Sequence, residues 1–127
     1  MKKILLAAIA APLFLSACAS IQVQNKASRV IISPNKPPMG CKYVSQVVGN
    51  QGNFFTGEWT SNSNLEEGAM NDMKNKAHAL GANYIQLVTT RAGNTGSMSS
   101  NYGGNMTQTN VTNVGNAYVC VPSKIGL

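Results

Sequence analysis

The chain has 127 residues with ten Lys and Arg against four Asp and Glu, a formal charge of +6, yet only 11% of it is charged and 43% is hydrophobic. That length supports one small domain with a modest core and excludes two. The bases are scattered and not interleaved with aromatics, which excludes the patterned basic face of a nucleic-acid binder.

The first fifteen residues open with Lys2-Lys3 and run through the apolar stretch from Ile4 to Ala11 into Pro12 and Leu13-Phe14-Leu15. This is the charged start and short apolar core of a secretory signal, too short for the roughly 20 residues that span a bilayer. Leu15-Ser16-Ala17-Cys18 follows and resembles the lipobox of bacterial lipoproteins, in which small residues precede a cysteine that is lipidated before cleavage. The expectation is a signal peptide over 1–17 and an acyl (palmitate) anchor on Cys18, so that the membrane is a partner through lipid alone. Ala19 in place of Asp resembles the sorting signal that sends such proteins to the outer membrane, facing the periplasm or the surface. Cleavage also removes Lys2 and Lys3, which lowers the charge of the mature chain to about +4.

Residues 18–28 carry Gln22, Gln24, Asn25 and Lys26 and read as a lipidated tether. A single domain is expected over 29–122, with a short tail at 123–127. Its first strand is Arg29-Val30-Ile31-Ile32, ended by Ser33-Pro34, and a proline-rich turn runs to Gly40. A second strand over 41–49 places Cys41, Tyr43 and Val47 on one face. The Asn/Gly/Ser-rich stretch over 50–64 holds Phe54, Phe55 and Trp59, three rings that fold back as cover or form a binding surface.

Leu65, Ala69, Met73, Ala77 and Leu80 recur at helical spacing with Met70 beside them, which predicts an amphipathic helix over about 64–80. Ser63 with Glu66, or Asn64 with Glu67, has capping-box spacing, and Gly81 suits the left-handed position that ends helices. A strand over 82–91 puts Ile85, Leu87 and Thr89 on one side and Tyr84 and Val88 on the other. A flexible Gly/Asn/Ser-rich loop is expected over 92–110, and a last strand over 111–121. The fold class is α+β, a small sheet of about four strands with the helix packed on one face.

Cys41 and Cys120 remain once Cys18 is lipidated, and in an oxidising compartment two such cysteines pair. A metal pair or a reactive thiol lacks support, because neither cysteine has a second Cys or His at ligand spacing. No residues are assigned to catalysis, metal or cofactor. His78 is the lone histidine, Glu66 and Glu67 point about 100° apart on the helix, and Asp72 and Glu58 complete the acids.

The pieces Pro38-Met39-Gly40-Cys41-Lys42-Tyr43-Val44, Gly68-Ala69-Met70-Asn71-Asp72-Met73-Lys74-Asn75-Lys76-Ala77, Leu80-Gly81-Ala82-Asn83-Tyr84-Ile85 and Tyr118-Val119-Cys120 together resemble a family of small bacterial lipoproteins catalogued as domain of unknown function 4156. The layout is also similar to RcsF, an outer-membrane lipoprotein of a stress-signalling pathway whose domain has two disulfides where this chain can form one. The resemblance implies a non-enzymatic outer-membrane lipoprotein that binds an envelope component or a protein partner. The alternative it implies is a stress sensor that signals to a membrane partner.

Overall fold

The computed structural model describes residues 20–52, 61–97 and 105–127. Four strands and one helix follow in the expected order: β1 (Ile31–Ser33), β2 (Lys42–Gly52), α1 (Asn62–Ala79), β3 (Tyr84–Ser97) and β4 (Asn105–Val119). The sheet order is β1-β3-β4-β2, with β1 parallel to β3 and the other neighbours antiparallel. The chain is an α+β protein, with α1 laid on one face of a mixed four-stranded sheet.

Helix α1 starts earlier than the capping-box spacing predicts. Ser61 is the N-cap and its side chain accepts the Asn64 amide at 3.2 Å, which leaves Glu66 and Glu67 one turn further in. At the other end Gly81, at φ 78°, donates to the His78 carbonyl while Ala82 donates to that of Ala77. This pair of bonds closes the helix on a left-handed glycine. Leu80 is the C-cap and is exposed instead of lying in the apolar stripe, because the chain leaves helical geometry there. Leu65, Ala69, Met73 and Ala77 are wholly buried.

Small residues set how closely α1 approaches the sheet. A methyl group on Gly49 would stand 2.7 Å from Met73 Cβ and nearer still to the Ala69 carbonyl oxygen, so only glycine fits. One cluster beneath the helix gathers Val30, Val47, Met73, Ala77, Ala82, Ile85 and Ala117, and a second gathers Leu65, Ala69 and Val111.

Tyr43 lies on the face opposite the one expected. The β2–β4 register slips between Tyr43 and Ser45, and that bulge reverses the alternation before Val47. Val44 packs against the core instead, and Tyr43 stands 60% exposed, edge-on to Tyr118 at 5.7 Å.

The stretch expected as a loop over 92–110 is ladder-paired over most of its length. Ala92 pairs with Val111 and Ser97 with Asn105, so β3 and β4 run on as a ribbon past the end of β2. Its Gly, Asn, Ser and Thr residues carry no apolar alternation, and main-chain hydrogen bonds hold it. Residues 98–104 lie outside the described residues.

The expected tether is also shorter than 18–28. Ile21 N–H donates to Gln51 Oε1 at 2.9 Å and Asn71 Nδ2 donates to the Ile21 carbonyl at 2.9 Å. Asn75 grips both sides of the next step: its Oδ1 accepts Gln24 N–H at 2.8 Å and its Nδ2 donates to the Gln22 carbonyl at 3.0 Å. Ala27 is fully buried in the turn that leads into β1. The chain is therefore strapped to α1 from Ile21 onward.

Candidate binding surface

Cys41 and Cys120 form a disulfide with their Cα atoms 4.3 Å apart, which clips the start of β2 to the end of β4. Asn83 reinforces that end of the sheet. Its Nδ2 donates to the Cys120 carbonyl and its Oδ1 accepts the Cys120 amide, both at 2.8 Å. Its own backbone donates to Tyr118 and accepts from Ile31. One residue thus joins three strands and the disulfide. Sequence reasoning placed Asn83 in a strand and missed this role; its position just after the helix-ending Gly81-Ala82 is the signal that marks it.

Other sequence candidates are dispersed. Cys18, Phe54, Phe55, Glu58 and Trp59 lie outside the described residues. Asp72 is committed to structure: its Oδ2 accepts Lys76 Nζ at 2.7 Å and the Asn50 amide at 3.0 Å, while Lys76 also donates to the Val48 carbonyl at 2.8 Å. His78 is half-buried near the last turn of α1, six residues on from Asp72, and Glu66 and Glu67 are exposed. The structure does not bring these groups together, and among the described residues no cluster of three or more His, Cys, Asp or Glu forms. Among the same residues, no helix is long and apolar enough to cross a membrane.

The face of the sheet away from α1 is partly covered. The segment between β1 and β2 reaches over Tyr84, which is buried and donates its hydroxyl to the Asn35 carbonyl at 2.9 Å, and Lys124 Nζ holds the same segment at the Met39 carbonyl, 3.2 Å away. Beyond that cover lie Tyr118, Gln86, Asn116 and Gln46 in adjacent register positions.

A cleft opens at the other edge of the sheet. It has a volume of about 620 Å³ and is lined by residues 28–32, by Met70 and Lys74 of α1, and by Gly126 and Leu127. It exists because α1 lies mainly over β2 and β4, which leaves a wedge between the Met70/Lys74 side of the helix and β1. Its walls combine the apolar side chains of Val30, Ile31, Ile32, Met70 and Leu127 with two cations, Arg29 and Lys74, and none of the lining side chains is acidic. Such a surface holds ligands by apolar burial and charge.

Comparison with known proteins agrees with the resemblance to domain of unknown function 4156 and does not show the likeness to RcsF. A protein of Escherichia coli K12 called "Uncharacterized protein YjeI" is 27% identical over 89 residues, which cover 69% of this chain and 76% of that protein. The proteins of the same name from Escherichia coli O6:H1 and Shigella flexneri match at the same identity and coverage. No solved structure matches this chain. The model of the family described as "Domain of unknown function (DUF4156)" matches residues 21–120, from the first strapped residue to the second cysteine of the disulfide, and the chain belongs to that family.

Proposed function

We propose that this protein is a non-enzymatic lipoprotein of the outer membrane, held by lipid on Cys18, whose domain binds an envelope component or another envelope protein. The observation that carries the binding half is the cleft beside β1, where two cations join apolar walls with no acidic side chain among them. The anchor half is supported by the signal-like first fifteen residues and by Leu15-Ser16-Ala17-Cys18. The strap adds to it, because it brings the start of the domain within three residues of the cysteine.

The test is metabolic labelling with an alkyne analogue of palmitate, followed by separation of inner and outer membranes. The native protein takes up label and fractionates with the outer membrane, and Cys18→Ala loses both. An unlabelled, soluble native protein overturns the anchor. A photo-crosslinking residue at Lys74 in the same cells reports the binding half. Capture of an envelope component or protein at that position supports it, with an inner-membrane signalling protein marking the sensor alternative; no crosslink beyond the chain itself overturns it.

A further inference from the structure

The two edges of the sheet are treated in opposite ways. On β2, Asp72 accepts the Asn50 amide and Lys76 donates to the Val48 carbonyl, so an ion-paired couple one helical turn apart occupies the groups that an added strand would use. On β1 the outward main-chain groups of Ile32 have no hydrogen-bond partner among the described residues. The parallel register that turns Ile31 N–H to the Asn83 carbonyl directs the N–H and C=O of the intervening Ile32 off the sheet. The cleft lies directly beside that edge.

We propose that β1 is a strand-addition site for an extended acidic peptide, which pairs with Ile32 and lays alternate side chains into the cleft. Main-chain pairing supplies the geometry and pockets for alternate side chains supply selectivity. The charge of the occupant follows from Arg29 and Lys74. Both line the cleft, neither has an ion-pair partner among the described residues, and the chain is basic overall. The apolar share of the peptide meets Val30, Ile32 and Met70. β1 is only three residues long and offers one open pair of main-chain groups, so charge carries much of the affinity and binding weakens with salt. This inference deepens the binding half of the proposed function and is independent of the lipid anchor.

The experiment uses the protein as recovered from cells, in detergent micelles and labelled with 15N. The probe is a capped peptide of about eight residues with alternating Glu and Val. The Ile32 amide resonance shifts on titration and its hydrogen exchange slows. The same peptide with Lys for Glu does not bind, and N-methylation of its edge-facing amides weakens binding at least about tenfold. The Arg29→Ala, Lys74→Ala double variant shows a similar loss at an unchanged unfolding midpoint. If that variant does not fold, the three peptides on the native chain decide alone. No shift at millimolar peptide, equal binding of the Lys peptide, or shifts centred on Tyr43 and Asn116 overturn the proposal. Loss of palmitate labelling alone overturns only the anchor.

Discussion

Asn113 is 1% exposed, faces inward across from Gly49 on β2, and neither oxygen nor nitrogen of its amide has a hydrogen-bond partner among the described residues. An unpaired buried amide costs about 1–3 kcal/mol. Asn113→Leu, close in volume, is therefore expected to raise stability by about 1 kcal/mol, read as a higher urea midpoint at constant slope. A lower midpoint would show that the amide is satisfied, for example by an internal water. Single residues of this kind were the least legible part of the sequence. An asparagine reads as turn or surface until the fold puts a partner beside it, and Asn71, Asn75, Asn83 and Asn113 all do different work from what composition suggests. Tyr43 was misplaced for a related reason, since one inserted residue at a bulge reverses every face assignment before it.

At the scale of elements, the helix and the strands 82–91 and 111–121 could be read from apolar spacing, because burial enforces the period. The ribbon beyond β2 could not, since its pairing depends on main-chain bonds that leave no apolar pattern. Side chains of α1 act as an artificial fifth strand along β2, and their removal has a specific consequence. Asp72→Ser with Lys76→Ser should change stability by about 1 kcal/mol, as expected for a partly exposed pair, yet promote self-association that light scattering detects. A variant that stays monomeric at high concentration would show that the edge needs no plug. The strap gives a second element-scale prediction. Asn71→Ala with Asn75→Ala removes the side-chain bonds to residues 21–24, so exchange of the Gln24 amide speeds up sharply while that of the core amide of Ile85 changes little. Equal exchange in both proteins would mean that Ala27 and the Ile21–Gln51 bond seat the segment without the two asparagines.

Across the whole molecule the disulfide is the dominant single constraint. It links residues 79 apart in sequence, and chain entropy assigns such a closure about 4.5 kcal/mol. That is a large share of what one domain of this size has. Cys41→Ser with Cys120→Ser should accordingly lower the urea-derived stability by several kcal/mol, and reduction of the native protein should do the same. A shift below about 1 kcal/mol would show that Asn83 and the β3–β4 ladder hold this end unaided. The cysteine pair and the fold class were legible because both follow from composition and element order. The strand order was not, because the placement of β1 beside β3 depends on a crossover whose only sequence trace is the short apolar run before Ser33-Pro34.

Under the proposed lipid anchor on Cys18, the bonds at Ile21 would fix the length of a leash. Three residue steps separate Ile21 from Cys18, a reach of about 10 Å, where a free segment to residue 28 would allow about 35 Å. The volume swept by a body on a leash grows with the cube of its length, so a lipid-held domain would explore roughly fortyfold less space above the bilayer, and any partner fixed in that membrane would meet it at a correspondingly higher local concentration.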